Sequence, residues 1–110
     1  MAKKKADLLQ GTLDLIVLKT LAVEPLHGWG ISKRVREMSD GVLDVHQGSL
    51  YPALYRLRDR GLIRSEWEVT NQDRRVKVYD LTPKGRKALA EEQEGWRVFT
   101  AAVDRILANS

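Results

Sequence analysis

Residues 47–57 combine groups that could bind a nucleic-acid backbone. They read Gln-Gly-Ser-Leu-Tyr-Pro-Ala-Leu-Tyr-Arg-Leu, and the three leucines fall on one helical stripe at about 100° per residue. We expect Ser49 to be the N-cap, because that start leaves Pro52 in the first turn, where its missing N–H is tolerated. A helix N-terminus with free N–H groups, a hydroxyl and nearby guanidinium groups suits contact with phosphates and with a groove. The alternative is an ordinary surface helix.

A hairpin with a basic tip follows this helix, which we expect to end in a left-handed cap at Gly61. Ile63–Val69 alternates apolar and polar residues, as a half-buried strand does. Residues 76–81 are a second strand-like run, which we expect to be held in a small sheet by Val76, Val78, Tyr79 and Leu81. The polar turn between the two runs ends in two arginines. Helix, turn and basic hairpin in this order predict a winged helix-turn-helix, in which one helix enters the major groove and the hairpin lies along the backbone.

Composition and charge favour a nucleic-acid partner. A chain of 110 residues with a net charge of +4 forms one domain. Residues 46–87 hold ten basic and five acidic side chains, a net of +5, whereas 91–94 is acidic. Positive charge therefore gathers where the helix and the hairpin are expected. The chain has no cysteine and no run of 18 apolar residues, so we expect a soluble, cytoplasmic protein without disulfides.

Two helices are predicted before the recognition segment. The first runs from about Asp7 or Thr12 to about Ala22. Its leucines cover too much of its circumference for a helix with one solvent-exposed face. It is either enclosed within the domain or covered by another subunit, and we expect the second because the domain is small. The second helix spans about 28–38, with these residues facing inward: Ile31, Val35 and Met38. We expect a turn at 24–28 and a short third strand at 42–45.

The last helix begins with Thr82-Pro83, an N-cap threonine before a proline at the first helical position, and continues to about Ala108. Its apolar residues follow a heptad pattern, which predicts a dimerisation arm that packs on the first helix of a partner. The alternative is a helix that folds back on its own domain. The predicted dimer interface consists of Leu9, Leu13, Ile16, Leu89, Trp96, Phe99, Val103 and Ile106.

The sequence shows few of the groups that an enzyme would need for catalysis. His27 and His46 are the only histidines, and no nucleophile–base pair, phosphate-binding loop or zinc-ligand cluster is visible. His27 precedes a glycine at a helix start and is interpreted as a turn residue. We expect no catalytic residue, no metal and no cofactor. The remaining alternative to DNA binding is a winged-helix module that binds protein or RNA.

Four motifs resemble the successive signatures of PadR-family transcriptional regulators over about Leu13 to Leu89. They are Leu-His-Gly-Trp-Gly-Ile from Leu26, Gly-Ser-Leu-Tyr-Pro-Ala-Leu from Gly48, Gly-Leu-Ile from Gly61, and Val-Tyr-Asp-Leu-Thr-Pro-Lys-Gly from Val78. The resemblance implies a winged-helix dimer that represses genes, with a single C-terminal helix. The family commonly has Tyr where this chain has Trp29, and often Pro near 45 and 46.

The resemblance also suggests an effector site. In multidrug-sensing members, a tryptophan of the terminal helix stacks planar aromatic compounds between subunits, which points to Trp96 and Phe99. The alternative is that Trp96 only fills the dimer core, as large aromatic residues do at interfaces.

Together these observations predict a mainly α fold with a small β-hairpin wing, in which residues 1–81 form the DNA-binding domain and residues 82–110 a dimerisation helix. The predicted partner is double-stranded DNA with an inverted-repeat operator. Base contacts are expected from Gln47, Ser49, Pro52 and Tyr55. Backbone contacts are expected from Lys33, Tyr51 and Arg56. On the wing, we expect either contact with the flanking backbone or entry into the minor groove by Arg74, Arg75 and Lys77.

Overall fold

The computed structural model describes the backbone of residues 2–109 and the side chains of residues 11–109. Within that part the elements are α1 (Ala2–Val23), β1 (Leu26–His27), α2 (Gly28–Met38), α3 (Gln47–Asp59), β2 (Ile63–Val69), β3 (Arg75–Leu81) and α4 (Pro83–Ala108). The predicted fold class, mainly helical with a hairpin wing, is confirmed.

The predicted start of α1 is wrong. The helix already begins at Ala2 and passes through Gly11, where a Cβ would meet nothing within 4 Å. A glycine inside a helix costs only about 1 kcal/mol relative to alanine, which does not break a long helix. Leu9, predicted in the dimer interface, lies outside the residues whose side chains are described.

The core forms around the C-terminal half of α1, whose Val17, Leu18 and Leu21 are fully buried. Helices α2, α3 and α4 and strand β3 all pack against α1. The domain therefore covers this side of α1, and contact of its outer face with another subunit stays a prediction. Leu13 and Ile16 are half-buried and pack against the core.

The sheet is antiparallel in the order β1-β3-β2. Strand β2 pairs with β3 from Ile63 opposite Leu81 to Val69 opposite Arg75, as the predicted hairpin requires. The third strand was predicted at 42–45 and lies instead at β1, inside the predicted turn. Residues 42–45 form an irregular loop because left-handed residues precede them, with Asp40 at φ 52° and Gly41 at φ 81°.

The hairpin extends past the core. Ile63 and Tyr79 are buried near its base, but Trp67 is 58% exposed further along. The alternation of β2 therefore does not mark a half-buried face over its whole length. On β3 the predicted Tyr79 and Leu81 are buried, and the predicted Val76 and Val78 are half-buried. Met38, predicted to face inward, is 51% exposed because α2 ends there and the chain turns away.

Candidate nucleic-acid interface

The N-cap of α3 lies three residues earlier than predicted. His46 is the N-cap, and its carbonyl accepts hydrogen bonds from the backbone N–H groups of Ser49 (3.0 Å) and Leu50 (2.9 Å). Ser49 is therefore already helical, and the prediction that it caps the helix is wrong. Pro52 then lies inside the helix and not in its first turn. Because proline has no N–H, it cannot donate to the carbonyl four residues earlier, which belongs to the exposed Gly48.

One side of α3 is anchored and the other is free. The anchored side consists of Leu50, Ala53, Leu54 and Leu57, all with no exposed surface. The free side includes the residues predicted to contact bases: Gln47, Ser49, Pro52 and Tyr55 are all exposed. The Gln47 amide donates from Nε2 to the Ser32 hydroxyl on α2 at 3.1 Å, so its orientation is fixed by the preceding helix.

The C-terminal end of α3 is closed by Gly61, as predicted. Gly61 has φ 75°, its N–H donates to the Arg58 carbonyl at 2.9 Å, and the Leu62 N–H donates to the Leu57 carbonyl at 2.9 Å. This pair of bonds is a Schellman motif. It turns the chain directly into β2, so the recognition helix and the wing share a fixed junction.

Arg56 does not face the exposed side of α3. Its Nη2 donates to Oδ1 of Asp14 in α1 at 2.8 Å, and its Nε is buried without a hydrogen-bond partner among the described residues. The predicted phosphate contact by Arg56 is therefore replaced by a structural role, because the guanidinium connects α3 to α1. Arg58, two residues further along α3, is exposed and was missed.

Tyr51 is half-buried between α2 and α3. A Cβ added to Gly28 would lie 2.6 Å from the Tyr51 hydroxyl, so the tyrosine needs the glycine at the start of α2. His27 caps that same start, since its Nδ1 accepts a hydrogen bond from the Gly30 N–H at 3.0 Å. His27, interpreted as a turn residue, is instead the last residue of β1 and caps α2.

The wing tip is held by Thr70. The Thr70 N–H donates to the Arg74 carbonyl at 2.8 Å, and its hydroxyl oxygen accepts from the N–H groups of Gln72 (3.3 Å) and Arg74 (3.2 Å). Asp73, with φ 58°, completes the turn. Arg74, Arg75 and Lys77 follow it, and all three project from the hairpin beyond the core, with Lys77 half-buried.

An aromatic groove separates α3 from the wing. It encloses about 460 Å³, and Trp29, Tyr55 and Trp67 are exposed at its walls. Each of these rings has a cation over it. Lys33 Nζ is 5.4 Å from the centre of the Trp29 ring, and Arg58 Cζ is 5.4 Å from the centre of the Tyr55 ring. The Trp67 ring has two cations, with Arg75 Cζ at 4.9 Å and Lys77 Nζ at 5.5 Å from its centre. The two tryptophans were missed as site residues. Alternation in the sequence placed Trp67 on the half-buried side of its strand. The three-residue spacing of Tyr55 and Arg58 in a helix was a signal that could have indicated their contact.

Tyr79 lies at the bottom of this groove. Burial raises the pKa of its phenol above the ordinary value of 10.0, and the neighbouring Tyr51 and Tyr55 raise it further. Tyr79 is therefore neutral at physiological pH and serves as an apolar floor. The charge of the groove comes from its cations alone.

The outer part of α4 is an uncovered apolar surface. Trp96, Phe99 and Ile106 are exposed, and the rings of Trp96 and Phe99 are 6.0 Å apart. Val103 is half-buried. Leu89 is different: it is only 7% exposed and packs in the core of its own domain, so its assignment to the dimer interface is wrong. It lies within the second turn of α4, where the helix still contacts α1.

Other kinds of site find no support in the described residues. They contain no group of three His, Cys, Asp or Glu side chains that could hold a metal ion. None of the described helices is long and apolar enough to cross a membrane.

A helix-turn-helix formed by α2 and α3, followed by the β2–β3 wing, defines a winged-helix protein. Residues 17–91 match the Transcriptional regulator PadR-like family. Because this match spans more than half of the 110 residues, the chain belongs to the PadR-like family of transcriptional regulators. The resemblance seen in the four motifs is thereby confirmed.

Individual relatives agree with this assignment. The chain is 38% identical over 84 residues to transcriptional regulator Rv3488 of Mycobacterium tuberculosis, covering 76% of this chain and 75% of that protein. A transcriptional regulator of Clostridium thermocellum has a similar structure, with a TM-score of 0.81 and 28% identity over 90% of this chain and 93% of that one. A PadR-like transcription factor of Bacteroides fragilis gives a TM-score of 0.79 and 31% identity, covering 94% of this chain and 98% of that one.

Proposed function

We propose that this protein is a non-enzymatic, sequence-specific DNA-binding repressor that acts in the cytoplasm as a homodimer. One observation carries the proposal: the exposed side of α3 and the wing form two walls of a single groove edged by Lys33, Arg58, Arg75 and Lys77. A helix flanked by cations on both sides suits insertion into the major groove between two phosphate backbones.

The exposed side chains divide into two roles. Ser49, Pro52 and Tyr55 are proposed to contact base edges, with Gln47 held beside them by Ser32. The backbone contacts are proposed for a separate set, which is Lys33, Tyr51, Arg58, Arg74, Arg75 and Lys77. Such phosphate contacts fix the register of a protein on the duplex but carry no sequence information themselves.

The dimer is proposed to form through α4, with residues 1–81 as the DNA-binding part and residues 82–110 as the dimerisation helix. The exposed Trp96, Phe99 and Ile106 are apolar surface that a second copy would cover, and the half-buried Leu13 and Ile16 of α1 are the proposed opposite side. A two-fold dimer reads an inverted repeat with half-sites about 10 base pairs apart. Relief of repression by a planar aromatic compound at Trp96 and Phe99 is part of this proposal.

The test is selection of DNA fragments from a random pool by the purified protein, followed by sequencing. An enriched inverted repeat supports the proposal. Failure to enrich any sequence, with no binding to duplex DNA at low salt, would instead favour the protein- or RNA-binding module.

Assembly is tested separately by sedimentation at micromolar concentration. The wild type is expected to be a dimer, and Val103→Glu is expected to give monomers that lose operator binding, because one winged domain buries too little surface for tight specific affinity. Asp104→Lys, on the same turn but exposed, is the matched control and should remain dimeric. A stable wild-type monomer would contradict the dimer.

A further inference from the structure

We propose that Trp67 is a positioning residue of the wing: its indole holds Arg75 and Lys77 on the groove side of the hairpin, ready to meet the DNA backbone. This inference rests on the proposed DNA-binding function and assigns a task to a residue that does not itself need to touch DNA.

The position of Trp67 excludes a role in the core. The side chain is 58% exposed and lies beyond Ser65, the last position of β2 that is still partly buried. A large aromatic side chain that is left in solvent gains little from packing, so another interaction must account for its placement. The contacts of its ring are with cations.

The register of the hairpin brings both cations to one ring. Trp67 is directly opposite Lys77, and Arg75 is opposite Val69, two residues along β2. Because alternate residues of a strand share a face, all three side chains lie on the same side of the hairpin. Arg75 Cζ is 4.9 Å and Lys77 Nζ 5.5 Å from the ring centre, both within the range of cation–π attraction.

The opposite face of the hairpin explains why it is useful for the Trp67 ring to hold these two cations. Glu66 and Glu68 alternate with Trp67 and therefore lie on that other face, opposite Val78 and Val76. Long basic side chains at an exposed hairpin have many rotamers, and two nearby carboxylates attract them away from the groove. The ring face favours the rotamers that keep both charges beside α3, so less freedom is lost when phosphates bind.

The groove side has a second example of the same arrangement. Trp29, at the start of α2, is 64% exposed and has Lys33 over its ring at 5.4 Å. The two indoles lie on opposite walls of the groove, so each wall has a charge held by a ring. Trp67 is the stronger case because one ring serves two cations.

The first test compares Trp67→Ala with Trp67→Phe in operator binding. Without the ring, both basic side chains must be ordered when phosphates bind, which should weaken binding by about five- to thirtyfold, and more where both wings of a dimer engage the duplex. Phenylalanine keeps a ring face and should recover most of the affinity. Val23→Ala, at an exposed position of α1 outside the groove, is the control and should bind like the wild type.

A double-variant comparison separates positioning from direct contact. In an Arg75→Ala/Lys77→Ala background, Trp67→Ala should change affinity by less than about twofold, because its effect passes through those two side chains. A loss in that background as large as in the wild type would show that the indole itself binds DNA, and would overturn the proposal. An unchanged affinity of Trp67→Ala in the wild-type background would overturn it as well.

A readout without DNA keeps this inference distinct from the proposed function. In the free protein, the side-chain protons of Arg75 and Lys77 should show ring-current shifts in nuclear magnetic resonance spectra that disappear in Trp67→Ala. If these shifts are present but the wild type binds no duplex, the proposed function fails while the pairing stands. If the shifts are absent, the positioning role is refuted whether or not the protein binds DNA.

Discussion

Asp14 of α1 and Arg56 of α3 form a partly buried ion pair, with 2.8 Å between Oδ1 and Nη2 and only 12% of the aspartate side chain exposed. The two residues are 42 positions apart in sequence. The pair therefore joins the helix at the centre of the core to the helix proposed to read DNA. The guanidinium of Arg56 is the group that the sequence analysis predicted to contact a DNA phosphate.

Removing the carboxylate of this pair should destabilise the domain. Asp14→Ala leaves a one-third exposed guanidinium whose Nε is already without a partner, and we expect a loss of about 1–3 kcal/mol in the free energy of unfolding. Urea denaturation measures it. Glu94→Ala, which breaks the exposed Glu94–Arg97 pair, is the control and should leave the urea midpoint unchanged. Equal midpoints for the two variants would contradict the structural role of Asp14.

Two glycines of α4 should respond oppositely to alanine. A Cβ at Gly85 would lie 1.9 Å from the Leu62 carbonyl oxygen, a backbone atom that cannot give way, whereas nothing lies within 4 Å of one at Gly95. We expect Gly85→Ala to cost at least about 3 kcal/mol of stability and Gly95→Ala to add up to about 1 kcal/mol, since alanine is the better helix former. Thermal unfolding of both variants decides this, and a stable Gly85→Ala would refute the close contact of α4 with Leu62.

Stability should fall at alkaline pH because of Tyr79. Burial raises the pKa of its phenol above 10.0 in the folded protein, so above that pH the folded state keeps a proton that the unfolded chain has lost. The stabilisation is complete below the unfolded pKa of about 10 and is lost as pH rises through the folded pKa. Urea midpoints measured from neutral to strongly alkaline pH should decline less steeply in Tyr79→Phe. Identical pH profiles for the two proteins would show that the phenol does not report on folding.

The features that sequence predicted well are those set by neighbouring residues. Thr82 caps α4 by accepting a hydrogen bond from the Gly85 N–H at 3.0 Å, as Thr-Pro at a helix start predicts. The left-handed turn at Gly61 and the bounds of α2 and β2 were likewise predicted, because caps and alternation are local signals. Family membership followed from motifs of the same local kind.

The features that sequence missed depend on contacts between distant elements. Strand β1 is only two residues long, and it is a strand only because β3 pairs with it. The direction of Arg56 depends on a carboxylate in α1, which no pattern around Arg56 indicates. Trp67 follows the alternation of a half-buried strand, but its strand leaves the core, and the length of a hairpin relative to its domain is a tertiary property.

The electrostatic contribution of the wing should appear in the salt dependence of operator binding. The logarithm of affinity should fall with the logarithm of salt concentration by about 0.9 per phosphate neutralised. Arg75→Ala and Lys77→Ala should each lessen that slope by about one unit and weaken all sequences alike. Lys87→Ala removes the same charge from an exposed position of α4 outside the groove and should keep the wild-type slope. A slope unaffected by the wing variants would show that the phosphate contacts lie outside the wing.

The role of Trp96 should be visible in its fluorescence. The side chain is 43% exposed in the single chain and 6.0 Å from the ring of Phe99, so two copies facing each other across a dimer axis would offer flat apolar area suited to stacking. Trp29 and Trp67 are replaced by Phe to isolate the signal, and the protein is titrated with flat cationic aromatic dyes. We expect saturable quenching of the Trp96 signal, and we expect Trp96→Ala to abolish dye binding, measured by the polarisation of the dye's own fluorescence, while sedimentation still shows a dimer. Val98→Ala, an exposed change on the same helix, is the control and should quench like its parent. Dye binding that persists without Trp96 would remove the effector site from this helix, and a Trp96→Ala protein that dissociates into monomers would show that the indole serves only to pack the dimer.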